Sequence, residues 1–239
     1  PVVIKSSEVI FNDVINSDFE IKERGNNTLR SILGFNGKTY KNKLTFFINK
    51  KNGDQKLDTG FNLNADDISL GEELFIESVF DKIDNLIDID FERVYSPDES
   101  LIDIYSSDLT GSTLGITYID YGIKNGEKYF QSDVVFSVSK GNLLSDFEGL
   151  SSDTAYTIVH EVAHALGMRH PGDDPNGNWH TSEDTVMSYN FDNSSFAIPN
   201  FSPVDEIALL KMWGKETNFE SEKLVATENN NFDKDYLEK

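Results

Sequence analysis

The sequence predicts an α+β fold, a mixed twisted sheet with one helix behind it, a histidine-bearing helix beneath it and a C-terminal helix. Three observations predict this fold. Short apolar and alternating segments typical of strands lie on both sides of a long amphipathic segment. A second helical segment follows the last strand, and Ser202-Pro203 begins a third that Gly214 closes. The order strand, helix, several strands, helix indicates a mixed sheet packed against helices.

The first strand and the first helix come early in the chain. Leu44–Ile48 is a short apolar run bounded by lysines and asparagines, which predicts a strand. Residues 51–55 (Lys-Asn-Gly-Asp-Gln) predict a turn or loop, and their carboxylates lack the spacing of a calcium loop. A helix should then run from Asp66 or Ser69 to about Asn85. Its apolar residues recur at helical spacing and would back the sheet: Phe75, Ile76, Val79, Phe80 and Ile83.

The middle of the chain predicts four more strands. Residues 87–94 and 101–105 alternate apolar and acidic side chains, and residues 114–121 form a further strand. Asn125-Gly126 marks a tight turn into the strand at 129–138. This last strand directly precedes the histidine-bearing helix.

Residues 152–166 predict that helix. Ser152 or Asp153 can serve as its N-cap, and Ala155, Ile158, Val159, Val162 and Leu166 form an apolar stripe at helical spacing. His160 and His164 are four residues apart, so both imidazoles project from one face, the geometry that two ligands of one metal need. Glu161 is rotated by roughly 100° from His160, where it can reach a metal-bound water.

A third histidine follows a predicted sharp turn. Gly167 can adopt the left-handed conformation, which ends the helix and brings His170 back toward the first two histidines. A polar helix face alone would explain one His-x-x-x-His pair. The additional glutamate, glycine and third histidine each have their own task in a metal site. Three neutral imidazoles with one open position predict a catalytic rather than a structural zinc site.

The string His-Glu-x-x-His-x-x-Gly-x-x-His resembles the metzincin clan of zinc endopeptidases. Pro171 after the last histidine, the turn Thr185–Asn190 and the segment Ser202–Leu210 are most similar to the serralysin family. This resemblance implies that Met187 underlies the histidines as an apolar floor. It also implies that Tyr189 is a mobile extra zinc ligand that assists the transition state, and that Glu161 is the general base.

The resemblance implies a zinc metalloendopeptidase that hydrolyses peptide bonds in protein substrates. Residues 28–214 would form the metzincin catalytic domain and 215–239 an acidic tail. Residues 1–27 would be an arm packed on the domain or the remnant of a propeptide. The alternative is a proteolytically inactive zinc-containing module that binds proteins, but such a site would have no use for Glu161.

The predicted strand at Asp133–Val138 is a candidate for binding the substrate. In the serralysin-like arrangement the last strand before the metal helix is the edge strand above the cleft. An edge strand exposes unpaired backbone groups, to which an extended peptide can add. The alternative is an interior strand without a role in substrate binding.

Composition limits the choice of partners and cofactors. The 239 residues carry a net charge of -21, which argues against binding to nucleic acid or to an anionic membrane. The absence of cysteine excludes disulfides and a thiolate ligand. No apolar run approaches the length of a membrane span. We expect a monomer, secreted by family resemblance, although the calcium-binding nonapeptide repeats of typical serralysins are absent.

The polar loop at 172–184 allows two interpretations. Its many oxygen donors suit a structural Ca²⁺, but its glycine falls too early for an EF-hand loop, which favours a solvated loop. His180 lies in this segment. It is expected to be a loop residue rather than a ligand, because the three-histidine set is already complete.

Overall fold

The computed structural model describes residues 43–124, 127–139, 142–174, 176–190 and 199–216. The predicted segment 1–27, the start of the predicted catalytic domain, the Asn125-Gly126 turn and nearly all of the predicted tail lie outside these residues. In chain order the elements are β1 (Lys43–Ile48), β2 (Gly53–Lys56), β3 (Asn62–Ala65), α1 (Leu70–Asp84), β4 (Asp90–Val94), β5 (Ile102–Ser106), β6 (Gly115–Lys124), β7 (Glu127–Phe136), α2 (Ser152–Ala165) and α3 (Pro203–Trp213). The predicted α+β class and the three predicted helices are confirmed.

Five strands form one sheet in the order β4-β1-β5-β7-β6. The first four of these run parallel to one another, and β6 pairs antiparallel with β7. Parallel neighbours need a crossover connection, which α1 supplies between β1 and β4. The sheet is therefore mixed, as the sequence predicts.

The prediction that Asp133–Val138 is the edge strand is wrong. β7 pairs with β5 on one side and with β6 on the other, so its backbone from Asp133 to Phe136 is paired with a neighbouring strand on both sides. Among the described strands of this sheet, β6 and β4 lie at the edges. Val134, Val135 and Phe136 are each 0% exposed, and such a continuous apolar run is typical of a strand covered on both faces.

Helix α1 begins at the later of the two predicted starts. The Ser69 side chain accepts a hydrogen bond from the Glu72 amide at 3.3 Å, and the Glu72 carboxylate accepts one from the Ser69 amide at 2.7 Å. This reciprocal pair is a capping box, which satisfies two amides that the first turn leaves unpaired. The predicted apolar stripe is buried and joins the large core between the sheet and α2: Phe75, Ile76, Val79, Phe80 and Ile83.

The segment predicted as a turn or loop at 51–55 contains a strand instead. β2 pairs antiparallel with β3, and this hairpin forms a second, two-stranded sheet. Leu57 and Ala65 from the hairpin region pack with Tyr105 of β5 and Val135 of β7 in a separate small core. The β2 residues are themselves polar and none is buried, so the sequence shows no apolar alternation there.

Two aspartates are buried side by side in the main sheet. Asp103 on β5 and Asp133 on β7 are register partners, and both are 0% exposed. The Thr59 amide donates to Asp133 Oδ2 at 2.9 Å, and the Ser100 hydroxyl donates to Asp103 Oδ1. Burial raises the pKa of Asp103 to about 8, the Ser100 hydrogen bond opposes the rise, and the charge of Asp133 adds to it.

Helix α3 begins and ends where the sequence predicts. Ser202 caps it and shares a capping box with Asp205, and Gly214 follows its last residue with φ of 91°. The Trp213 indole is 1% exposed, and its Nε1 donates to the Leu166 carbonyl at 3.0 Å. This bond ties α3 to the end of α2. No helix in the described part of the chain is long and apolar enough to cross a membrane.

Candidate metal centre

Helix α2 carries the first two histidines of the site. Its N-cap is Ser151, whose hydroxyl accepts from the Thr154 amide at 3.2 Å, so the predicted caps Ser152 and Asp153 are one and two residues late. The predicted apolar stripe is buried beneath the sheet: Ala155, Ile158, Val159, Val162 and Leu166. Burial of that stripe sets the rotation of α2.

The turn after α2 returns the chain to the same place. Gly167 has φ of 93°, and its amide donates to the His164 carbonyl at 2.8 Å. A side chain at this φ would be strained, so glycine is the residue that fits. The turn brings His170 next to both helix histidines, as the sequence predicts.

The three imidazoles converge through their Nε2 atoms. His170 Nε2 lies 3.2 Å from His160 Nε2 and 3.1 Å from His164 Nε2. The Nδ1 atoms of the two helix histidines face backbone carbonyls, that of Val186 at 2.7 Å and that of Met168 at 2.8 Å. A carbonyl oxygen only accepts, so each Nδ1 carries the proton and each Nε2 presents a lone pair.

Burial keeps the two helix histidines neutral. It lowers the pKa of His160 to about 3, with the neighbouring His164 lowering it further and the Val186 carbonyl opposing. Burial also lowers the pKa of His164 to about 4, against the hydrogen bond to Met168. A neutral imidazole is the form that binds a metal.

The geometry fits a zinc ion. Ligands at about 2.0–2.1 Å from a tetrahedral zinc lie about 3.3 Å from one another, close to the spacings of 3.1 and 3.2 Å seen here. Within the described ranges, His160, His164 and His170 are the one group of three potential His, Cys, Asp or Glu ligands whose atoms all lie within 4.8 Å. The triad is therefore positioned to bind a metal ion, and its all-nitrogen donor set suits zinc.

Glu161 lies in the same cleft. The cleft has a volume of about 390 Å³ and is lined by Glu161, His164, His170 and Tyr189 together with residues of β6. Glu161 is 4% exposed, and its Oε2 accepts a hydrogen bond from the Thr117 hydroxyl at 2.7 Å. Burial raises the pKa of Glu161 to about 7, and the Thr117 bond opposes that rise.

Met187 lies in a buried turn after the histidines. Met187 is 0% exposed and belongs to the large core. The buried Asp205 and the partly buried Tyr156 hold the turn: the Val186 amide donates to Asp205 Oδ2 at 2.9 Å, and the Tyr156 hydroxyl donates to the Val186 carbonyl at 2.8 Å. Sequence analysis missed both Asp205 and Tyr156, whose contacts span 19 and 30 residues.

Tyr189 borders the metal site. Its ring centroid lies 5.4 Å from that of His160 and 5.0 Å from that of His170, and the side chain is 45% exposed. The pKa of its phenol is raised first by burial and then by the nearby Glu161 carboxylate, so the hydroxyl keeps its proton and can donate.

His180 is a buried link rather than a solvated loop residue. Its Nε2 faces the Asp174 carbonyl at 3.0 Å, which makes Nε2 the donor, and its Nδ1 accepts from the Ser188 hydroxyl at 2.8 Å. His180 is not part of the histidine triad. It ties the 172–184 loop to the turn that carries Met187. Part of this loop is therefore buried and not solvated.

The similarity of this chain to known proteins lies in structure and is distant in sequence. No protein-family model and no curated protein matches the sequence. The solved structure titled "GM1 bound form of the ECX AB5 holotoxin" is 12% identical with a TM-score of 0.43, covering 80% of this chain and 91% of that chain. "Structure of myroilysin" is 13% identical with a TM-score of 0.43, covering 80% and 99% respectively.

Proposed function

We propose that this chain is a zinc-dependent endopeptidase that hydrolyses peptide bonds in protein substrates. One observation carries the proposal: the Nε2 atoms of three histidines converge, and two of these histidines line one open cleft together with a buried carboxylate. A purely structural zinc site has four protein ligands and no open position. Here three histidines meet, and Glu161 sits beside them at a position where it can act on a water.

The residues would divide the chemistry between them. His160, His164 and His170 would hold zinc, which when bound polarises a carbonyl and lowers the pKa of water from about 15.7 toward 7. The Glu161 carboxylate would accept a proton from the attacking water and pass it to the leaving amine. Tyr189, by its resemblance to the serralysin tyrosine, would be a fourth, displaceable ligand and then donate a hydrogen bond to the developing oxyanion.

The substrate would add to β6. β6 is the edge strand next to the cleft, and Gly115, Ile116, Thr117 and Ile119 of this strand line it. An extended peptide paired with β6 would pass directly over Glu161 and the triad. The predicted strand Asp133–Val138 cannot serve in this way, since β6 already pairs with it.

We infer the metzincin fold type and the serralysin-like membership from the motif His160 to His170, from the turn at Met187 and from the order of the elements. Secretion rests on that resemblance alone. Activity in the culture medium of the source cells, compared with their lysate, tests it.

A chelator experiment tests the activity. The chain is incubated with a denatured protein as prepared, after treatment with a zinc chelator, and after zinc is restored, with Glu161→Gln as the matched control. We expect cleavage that the chelator abolishes, that zinc restores, and that Glu161→Gln lacks. A zinc-loaded parent that cleaves no denatured protein would instead indicate the protein-binding module.

A further inference from the structure

A hydroxyl from the edge strand contacts the proposed base. Thr117 Oγ1 lies 2.7 Å from Glu161 Oε2 and 3.0 Å from the Glu161 carbonyl oxygen. The two residues are 44 positions apart, on β6 and α2. Nothing in the motif that contains Glu161 predicts this partner.

The hydroxyl has one proton and two acceptors within reach. The ionised carboxylate is the stronger acceptor, and it is also the nearer of the two. Glu161 is 4% exposed. Without the Thr117 hydroxyl, its Oε2 atom would lose a hydrogen bond that water cannot readily replace in so buried a position. The contact therefore fixes the direction in which the carboxylate points.

A glycine closes the other side of the carboxylate. A Cβ atom added at Gly115 would lie 2.5 Å from Glu161 Oε1 and 2.6 Å from Glu161 Cγ, closer than such atoms approach. Gly115 and Thr117 are two residues apart on one strand, so they share a face of the sheet. β6 thus meets Glu161 at both oxygens, by close packing at Oε1 and by a hydrogen bond at Oε2.

We propose that Thr117 is a positioning residue for Glu161, an inference that rests on the proposed function. The hydrogen bond holds Oε2, so that the carboxylate stays turned toward the water it must deprotonate. The strand that offers its edge to the substrate also orients the base. The orientation of the Glu161 carboxylate then depends on the position of β6 as well as on α2.

Kinetics of three variants test this role. Thr117→Val removes the hydroxyl and keeps the shape, Thr117→Ser keeps the hydroxyl, and Thr45→Val is the matched control, a strand threonine of β1 whose hydroxyl donates to the Glu99 carbonyl. For Thr117→Val we expect kcat to fall about tenfold or more, the effect of losing one hydrogen bond to a charged group, with KM within about twofold. Thr117→Ser should recover most of kcat, and Thr45→Val should match the parent.

A second measurement does not depend on activity. In the metal-free protein, Thr117→Val should raise the unfolding equilibrium constant about tenfold when Glu161 is present, and clearly less in a Glu161→Met background. In the Glu161→Met background the Thr117 hydroxyl can still donate to the main-chain carbonyl of residue 161, so the difference between the backgrounds reports on the carboxylate. Equal effects in the two backgrounds would overturn the proposed contact.

The outcomes separate this inference from the proposed function. If the parent is active and Thr117→Val keeps the parent kcat, the result refutes the positioning role only. The same holds if Thr117→Ser is as impaired as Thr117→Val, because packing and not the hydroxyl would then matter. If the zinc-loaded parent cleaves nothing, the result refutes the proposed function and the positioning role with it.

Discussion

The buried aspartate pair makes the stability of this fold depend on pH. The pKa of Asp103 rises from its ordinary value of 3.8 to about 8 in the folded protein. Between these values the folded protein binds more protons than the unfolded chain, so the free energy of unfolding falls as the pH rises. The contribution of Asp103 is fully present below about pH 3.8 and is lost as the pH passes about 8.

Asp103→Asn should remove this dependence. The amide is neutral at every pH, has the same shape, and can still accept the Ser100 hydrogen bond. Each pKa unit corresponds to about 1.4 kcal/mol, so the full shift from 3.8 to about 8 sets an upper figure of about 6 kcal/mol for ionising Asp103. Because Asp103 and Asp133 titrate as a coupled pair, we expect the variant to be about 2–5 kcal/mol more stable than the parent at pH 9.

Urea unfolding at pH 5, 7 and 9 measures the effect. Parent and variant are compared in the metal-free state, so that zinc binding does not add its own pH dependence. Asp108→Asn, which removes an exposed carboxylate on the loop after β5, is the matched control and should follow the parent. Parallel stability curves for the parent and Asp103→Asn would refute the reasoning.

Three further predictions concern the metal centre. Glu161→Gln should keep its zinc, measured by metal analysis, while kcat falls by about 10²–10⁴, the usual contribution of a general base; comparable activity would refute the mechanism. His170→Ala should lose zinc at low free metal in a competition assay, since one of three ligands is gone, and full occupancy would place the third ligand elsewhere. Tyr189→Phe should keep its zinc and its Tm while kcat falls at least about tenfold, and up to about 10²–10³ if a full oxyanion donor is lost. An unchanged kcat would leave Tyr189 with a packing role only.

The elements that the sequence predicts well are those with strong local signals. Helix α1 has five apolar residues at helical spacing behind a serine cap, and α3 has a cap, a first-turn proline and a closing glycine. β2 has none of these signals. Its residues are polar, and the hairpin is held by Leu57, which lies just after the strand and packs into the small core beside the sheet.

The error over the edge strand has a different origin. Chain order places the strand at Asp133–Val138 last before α2, but spatial order depends on which strand pairs with β5. β7 runs parallel to β5 and takes the inner place, and β6 folds back outside it. The apolar run Val134–Phe136 was the available signal, because an edge strand rarely has both faces buried.

The three histidines and Glu161 could be predicted from the sequence, but the residue that contacts Glu161 could not. His160, His164 and Glu161 follow from the periodicity of one helix, and His170 follows from one glycine turn. Thr117 contacts Glu161 across 44 residues. A contact of that range depends on which strand reaches α2, and a single sequence carries no local record of it.

Val186, which precedes the buried Met187, has backbone contacts with two distant parts of the fold. The Val186 carbonyl accepts from His160 Nδ1 at 2.7 Å, while the Val186 amide donates to the fully buried Asp205 of α3 at 2.9 Å. Val186 thus connects the C-terminal helix to the His160 imidazole through its two adjacent peptide groups. Because the proton on Nδ1 fixes the tautomer and the ring orientation, a shift of the Val186 backbone would turn the Nε2 lone pair away from the site. The orientation of His160 is therefore set by α3 as well as by its own helix, although the two lie far apart in sequence.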